Sequence, residues 1–584
     1  MILIKLEKLM DLQIRDFLKS YGMNKCIYII VLNIVNIIII YMTILIIPAA
    51  GKSYHPLFSN LSDLMIPLNG KPTIDFILES YSGILISKVI ILVHESDTLS
   101  KNYLKFKSNL HNEILIQIIE VSNSKGILDT ISHINLREIE EDVIINLADT
   151  IYLGDKSFKR DTLITSKHDI LINSSKWCFV EQKNNQLEFY NKPKNYIGGQ
   201  ILIGIYYFTN ISLFKQVLEN QVRKNQLELY HLLFEYSQKE QFNLVEENYQ
   251  WFDIGNIEHF QNSRLFFLRT RFFNSFEYDS FKGIITKKSS NTKKLLQEIH
   301  WFSNIPKELQ IFTPRLTNFE LNTDKPSYSL EYYGYPSLTD IFIFSQQSNE
   351  YWISIISKIL NFTKYLEENH YSKKEINSSF SMLYDKTISR IEELISINPF
   401  FKSLLDKDYF IINSKKYSNF LNKKEFNGKL KSHCELISKN AKYTIVHGDL
   451  CFNNILFDVQ TGIFKLIDPR GDSLYGDLRY DIAKLRHSVV GLYDLITTDL
   501  FYIEEEKENK ELYEISYSLF MQKRFENNEK WFDTLIEKYS FNPNEIEFIE
   551  GLLFLSMIPL HNDNLNRQKL MFSRAIVLLS KYLS

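Results

Sequence analysis

The sequence predicts two folds in series. An α/β, Rossmann-like domain is expected over residues 42–270. A two-lobed α+β domain is expected over 271–584, with a small lobe to about residue 335 and a large lobe from there on; an apolar extension, residues 1–41, precedes both. Three observations carry this reading. The chain has 584 residues, more than one hydrophobic core organises. After residue 42, short apolar stretches alternate with helical ones, the pattern of a parallel sheet flanked by helices. Near the C-terminal end, two short apolar strands, Tyr443–Val446 and Phe464–Ile467, bracket a polar loop whose His, Asp and Asn residues are regularly spaced.

Taken in order, the extension comes first. From Ile27 to Tyr41 the chain is almost continuous Ile, Val, Leu and Tyr, flanked by Lys25, and it runs into Thr43-Ile-Leu-Ile-Ile-Pro48. Together these would span a bilayer, but the second part reads as a buried strand, which leaves too short an apolar run for a membrane helix. No small-residue cleavage site marks a secretory signal. Met42 is therefore the expected functional start, with a membrane anchor in residues 1–41 as the alternative. Four cysteines, Cys26, Cys178, Cys434 and Cys451, stand far apart, which suits a reducing, cytoplasmic setting and excludes a cysteine-based zinc site. A net charge of −3 with 23% charged residues gives no basic patch for nucleic acid.

In the first domain the stretches Ile44–Ile47, Thr73–Tyr81, Lys88–Val93, Glu113–Val121 and Asp142–Leu147 supply the alternation. Ligands of such sheets collect at the carboxyl ends of the strands. The first such end, Ile47-Pro-Ala-Ala-Gly-Lys-Ser53, is a small-residue loop that a nucleotide could approach closely, with Ala49, Ala50, Gly51 and Lys52 in contact. It is not a Walker A loop, because Ile46 stands where that motif needs glycine.

Followed by Ile66-Pro-Leu-Asn-Gly-Lys-Pro72, Asn146-Leu-Ala-Asp-Thr150 and Trp251-Phe-Asp-Ile-Gly-Asn256, the loop resembles the sugar-phosphate nucleotidyltransferases and related phosphocholine cytidylyltransferases over about residues 42–270. The resemblance implies Mg²⁺ held by Asp149 and Asp253, base or sugar contacts at Ser124–Thr130, and an acceptor-phosphate lysine at Lys192, with CTP or another NTP as substrate. Two departures stand out. Where that family places an arginine and a lysine against the triphosphate, this chain has His55 and Asp63. A carboxylate there repels the substrate, and Lys52 and Lys71 would offset it only in part. The domain is either a divergent active transferase or a fold kept for binding or assembly.

The join between domains is expected near Arg264–Asn274, at the end of a helix Ile257–Arg271, with no Gly/Ser linker. In the second domain, Phe281–Ser289 reads as a strand and Lys293–Asn304 as a helix containing Glu298. Tyr351–Asn369 and Phe380–Ile397 show helical periodicity, and the tail Tyr513–Ser584 reads as helical and aromatic-rich. Within Ile445-Val-His-Gly-Asp-Leu-Cys-Phe-Asn-Asn-Ile-Leu456, His447, Asp449 and Asn454 keep the spacing of a phosphoryl-transfer catalytic loop. Such transfer needs an aligned hydroxyl and divalent cations more than covalent chemistry. Asp449 would orient the hydroxyl, and Asn454 and Asp468 would offer hard oxygens to Mg²⁺.

With Tyr475-Gly-Asp-Leu-Arg-Tyr-Asp-Ile-Ala483, these motifs resemble the aminoglycoside phosphotransferase and choline kinase superfamily, a protein-kinase-like fold. The resemblance implies an ATP lysine at Lys287, with Lys288 a competitor, an ion-pair partner at Glu298, and an adenine-binding connection at Leu330–Leu338. Arg470 would suit an anionic group on the acceptor, or equally a structural pair with Asp472 or Asp477. The two resemblances imply a bifunctional enzyme. A kinase would phosphorylate a small amino alcohol, polyol or sugar, and a nucleotidyltransferase would activate a phosphorylated metabolite for surface glycans or lipids, with no membrane partner. A kinase with an inert nucleotidyltransferase-like first domain and a non-catalytic nucleotide-binding scaffold are the rival readings.

Overall fold

The structure is a computed structural model that describes residues 42–51, 55, 57–58, 61–110, 115–156, 158, 160–167, 174–184, 186–194, 198–247, 250–268, 274–321, 326–372 and 376–584. The apolar extension and Lys52 lie outside the described residues. Two compact units divide the chain. The first takes residues up to 53, 62–64 and 73–255; the second takes 54–61, 65–72 and 256–584. Residues 65–72 and 256–268, expected in the first domain, thus belong to the second unit.

The first unit is built on strands β1 (Thr43–Ala49), β2 (Ile86–His94), β3 (Ile116–Val121) and β4 (Asp142–Asn146). They lie in the order β3-β2-β1-β4, all parallel, with Ile46 opposite Ile90 on one side and Ile145 on the other. This is the doubly wound order, in which the crevice beyond the carboxyl ends of the strands is the natural ligand site. The strands read as Ile/Val/Leu runs because both faces are covered. Ile44, Ile46, Leu92, Val143 and Ile145 pack with Leu128, Phe214, Val217 and Leu232.

Beyond β4 the sheet departs from the expected all-parallel form. β5 (Thr150–Tyr152), β6 (Thr162–Ser166), β7 (Cys178–Lys183), β8 (Gln186–Asn191) and β9 (Gln200–Phe208) follow, and β9 runs antiparallel to β4, β6 and β7. β7 and β8 are joined by only Asn184 and Asn185, and so short a link permits only a hairpin. β10 (Asn243–Glu246) pairs with β6, and β11 (Trp251–Asp253) pairs with β5. The stretch at Thr73 forms the helix Thr73–Glu79.

The second unit opens with a four-stranded antiparallel sheet of β12 (Asn274–Asp279), β13 (Ile284–Ser289), β14 (Leu316–Glu320) and β15 (Ser327–Glu331), in the order β12-β13-β15-β14. The helix Thr292–Asn304 follows β13, as expected; its Asn291 side chain caps it by accepting from the Lys294 N–H. The remainder is mostly helical, with two departures from expectation. The 380–397 stretch is two helices, Ile376–Leu383 and Asp385–Ile397. A second sheet also appears: β16 (Tyr409–Ile412) and β17 (Lys415–Ser418) join, after the catalytic-type loop, β22 (Phe501–Glu508) and β23 (Leu512–Leu519). The tail therefore begins as a strand. Tyr513, Ile515, Tyr517 and Leu519 alternate inward, a period of two that aromatic content had obscured. Between the two halves of this sheet come β18 (Tyr443–Ile445), β19 (Ile455–Phe457), β20 (Phe464–Leu466) and β21 (Tyr475–Asp477), paired as β18-β21 and β19-β20.

Candidate functional sites

In the first unit, Asp149 lies just beyond the end of β4, at the point where β4 and β1 diverge. The short ladder between β5 and β11 sets Asp253 opposite Thr150, and the Ile254 N–H donates to the Asp149 carbonyl at 2.8 Å. Gly255 shows how close the two carboxylates come. A Cβ there would stand 2.9 Å from Asp149 Oδ2 and 3.5 Å from Asp253 Oδ1, so both border the same spot and a side chain would intrude on it. The Gly255 N–H donates to Asp253 Oδ1 at 2.8 Å and Thr150 Oγ1 to Asp149 Oδ1 at 3.2 Å.

Burial, and then the neighbouring Asp63 carboxylate, push the Asp149 pKa up to about 6. The arrangement therefore carries excess negative charge that a divalent cation would neutralise. Among the described residues no group of three or more His, Cys, Asp or Glu side chains forms a complete cage, so an ion held by Asp149 and Asp253 would take its other oxygens from phosphate and water, as Mg²⁺ does. Ala49 and Ala50 are buried at the end of β1, and a Cβ on Gly51 would meet nothing within 4 Å, so the loop has room beside it.

The other candidates in this stretch divide between the two units. Lys192 has φ 48° and its N–H donates to the Trp177 carbonyl at 2.8 Å. Lys71 sits on a hairpin opposite Leu68, in the second unit. His55 also belongs to that unit: it packs against Phe58 and Phe260, with ring centroids 5.6 and 4.5 Å away. Burial, with Arg264 nearby, lowers its pKa to about 4, so it is a neutral packing residue there.

In the second unit the antiparallel register sends the two lysines to opposite faces. Lys287 pairs with Tyr328 across β13 and β15 and points inward, 4% exposed, whereas Lys288 reaches out to Glu277 at 2.7 Å. Lys287 Nζ lies 2.8 Å from Glu298 Oε2 and 2.8 Å from Asp468 Oδ1. Burial opposes its charge, but the Asp468 and Glu298 carboxylates more than offset this and hold the ammonium above the usual lysine range. Tyr328 OH also donates to Glu298, at 2.8 Å. Asp468 has φ 53°, a left-handed conformation uncommon outside glycine, which turns the chain sharply after β20.

Around the loop, Asn454 Nδ2 donates to both the carbonyl and Oδ2 of Asp449 at 2.9 Å, so the amide nitrogen is engaged and its oxygen is the group left for a cation. Asp449 Oδ1 pairs with Lys484 Nζ at 2.8 Å. Burial disfavours its charge, but Lys484 prevails and keeps the Asp449 carboxyl below its ordinary range. His447 meets the Asp449 backbone: its Nδ1 accepts from the Asp449 N–H at 3.3 Å, its Nε2 is 2.9 Å from the Ile467 carbonyl, and burial lowers its pKa and favours the neutral ring. The Asp481 carboxylate accepts from the His447 and Gly448 N–H groups at 2.7 and 2.8 Å and fixes the loop. Arg470 pairs with Asp472, the structural alternative, and reaches Tyr480 OH at 3.3 Å.

A cavity beside Lys287 and Asp468 is lined by Ile285, Leu330, Tyr332, Tyr333 and Leu456. Arg264 braces its wall by donating to the Gly334 and Tyr335 carbonyls at 2.8 and 2.9 Å, and the Gly70 N–H donates to Asp340 at 2.7 Å. Sequence reasoning missed Lys484, Tyr328, Arg264 and Asp340. Lys484 alone left a signal: it stands one helical turn beyond Tyr480 in the motif already noted.

Residues 44–269 match the family model described as nucleotidyl transferase, so this stretch carries a nucleotidyltransferase-like domain. Among solved structures, a putative glucose-1-phosphate thymidylyltransferase from Bacillus anthracis, in complex with a sucrose, is 16% identical. It covers 40% of this chain and 97% of its own, with a TM-score of 0.35. A UDP-glucose pyrophosphorylase complexed with UDP-glucose is 15% identical, with 39% and 100% coverage and a TM-score of 0.33. A UTP-bound UGPase from Acinetobacter baumannii is 13% identical, with 39% and 94% coverage and a TM-score of 0.33. Comparison with curated proteins gives no match. Among the described residues, no helix is long and apolar enough to cross a membrane.

Proposed function

We propose that the protein is a bifunctional enzyme: an ATP-dependent kinase of a small hydroxylated metabolite, joined to a nucleotidyltransferase that couples a phosphorylated metabolite to an NTP. The observation that carries the kinase is the chain Glu298–Lys287–Asp468, two carboxylates meeting across one buried lysine beside a cavity and close to a fixed Asp449 loop. In this reading Lys287 holds ATP phosphates, and Asn454 and Asp468 hold Mg²⁺, which supplies charge neutralisation on the phosphates. Asp449, kept ionised by Lys484, aligns the acceptor hydroxyl and takes its proton. The neutral His447 and the Asp481 carboxylate hold the loop in shape.

The nucleotidyltransferase reading is supported by the family match and by the convergence of Asp149 and Asp253. These two residues would hold a divalent ion, which would supply neutralisation of charge on the reacting phosphates. A second reading keeps the kinase and makes the first unit inert. It is favoured by one observation, the Asp63 carboxylate beside Asp149, where it adds repulsion to a triphosphate site. Mass spectrometry of products from a metabolite pool with Mg-ATP alone, Mg-CTP alone and both together separates the readings. The bifunctional enzyme gives a phosphate ester with ATP and an NDP derivative with both. An inert first unit gives only the ester, and absence of any ester contradicts the kinase.

A further inference from the structure

A second cavity of the second unit, about 490 Å³, is lined by Ser379, Met382, Asp385 and Lys386 from two successive helices and by Gly448 and Arg470 next to Asp449. That volume suits a small metabolite. Gly448 lets it form: with φ 77°, its missing Cβ would stand 2.8 Å from Arg470 Cβ, so any side chain would push the arginine out of the wall.

Two cations of its wall, Lys386 and Arg470, meet on the hydroxyl of the buried Tyr480. Lys386 Nζ donates to Tyr480 OH at 2.7 Å and lies 5.0 Å from the ring centroid, Arg470 Nη1 donates to the same oxygen at 3.3 Å, and Lys484 stands one turn along the helix from Tyr480. Asp385, Asp472 and Asp477 also line the cavity, and most of the carboxylates in and beside it are taken. Asp449 pairs with Lys484, Asp472 with Arg470, and Asp477 with Arg479 at 2.6 Å. Asp385 is on the wall but exposed, where water screens it. Among the described residues no carboxylate pairs with Lys386. Burial, then the Arg470 and Lys484 charges, hold its ammonium below the usual lysine range despite the Tyr480 contact.

We propose that this cavity binds an anionic group, a carboxylate or phosphate, on the hydroxylated acceptor, with Lys386 as its principal contact. The assignment rests on the kinase reading for the chemistry that follows. The acceptor oxygen bonds to the γ-phosphorus of ATP, the β–γ bridging bond breaks, ADP leaves with that electron pair, and the hydroxyl proton passes to Asp449. A quaternary ammonium acceptor would instead face an ammonium and a guanidinium, which repel it.

The test is calorimetry on the full chain with glycerate, glycerol 3-phosphate, inorganic phosphate, glycerol and choline, followed by ³¹P NMR with Mg-ATP. At least one of the three anions should bind tenfold or more tightly than glycerol or choline. Lys386→Met should weaken that binding at least tenfold, and Lys386→Arg less than threefold. Ser389→Glu, on the cavity wall one turn from Lys386, should weaken it comparably without disturbing the buried network. Preference for choline, binding of none of the anions, or anion binding unmoved by both Lys386→Met and Ser389→Glu overturns the proposal. Binding is read without turnover. Anion binding that behaves as described in a protein that transfers no phosphate supports the anion site and counts against the kinase reading alone.

Discussion

Lys287 Nζ stands 2.8 Å from Asp468 Oδ1, a contact between residues 181 positions apart that ties the first sheet of the second unit to the turn after β20. The same lysine is the nearest cation to Glu298, 1% exposed, with Lys294 farther off at 3.8 Å. Breaking a buried pair by removing one partner strands the other charge, at about 3–5 kcal/mol. Lys287→Met should therefore lower the melting temperature and abolish ATP binding together. Adding Glu298→Gln should restore much of the stability without restoring ATP binding. Thermal melts and ATP titrations check the pair; recovery of both properties in the double variant would contradict the assigned role.

Asp449→Ala should cost about 10²-fold or more in phosphoryl transfer, because a positioned general base contributes that much. ATP affinity should change little, since Lys287 and Asp468 are untouched. Lys484, left without its carboxylate, should make the variant somewhat less stable, which a melt will register. Retention of more than about a tenth of the rate would rule out the role.

Asp149 gives a pH signature. Its pKa rises from 3.8 in the unfolded chain to about 6 in the fold, so the folded state binds the proton more tightly. Its contribution is neutral below about pH 4, destabilises progressively between pH 4 and 6, and reaches its full cost, up to about 2–3 kcal/mol, above that. In divalent-free buffer Asp149→Asn should flatten this fall and stabilise the protein at pH 7–8. Asp63→Asn should do the same in part, by removing the repulsion. Chemical denaturation at a series of pH values checks both; a stability that rises from pH 4 to 6 specifically through Asp149 would contradict the arrangement.

A chain beginning at residue 271 should fold poorly or lose ATP binding, although the sequence boundary suggests a self-sufficient domain. It would lack Arg264, which holds the Gly334 and Tyr335 carbonyls, and the hairpin whose Gly70 N–H satisfies Asp340. Arg264→Ala in the full chain should reproduce the loss of ATP affinity in milder form. Expression and ATP titration of both proteins check this.

The parallel core of the first unit was legible because β1, β2 and β4 are Ile/Val/Leu runs at their expected places. The β18–β20 loop was legible because polar residues sit at fixed positions between short apolar strands. The antiparallel extension through β9 was not, since β9 pairs with β4 and β6, partners far away along the chain. β16 and β23 pair in parallel across a hundred residues, and no local pattern announces that. The choice between Lys287 and Lys288 needed the register with Tyr328. His55, aligned with a phosphate-binding position, proved to pack between aromatic rings, a placement that spacing alone does not reveal.

The most direct measurement of the two-site account follows label from γ-³²P-ATP and α-³²P-CTP into products, with wild type, Asp449→Ala and Asp253→Asn compared in the full chain. The account predicts that Asp449→Ala abolishes transfer from ATP while leaving transfer from CTP to a supplied phosphate ester intact, and that Asp253→Asn does the reverse. Loss of transfer from ATP in a folded Asp253→Asn protein, or its survival in Asp449→Ala, would contradict it.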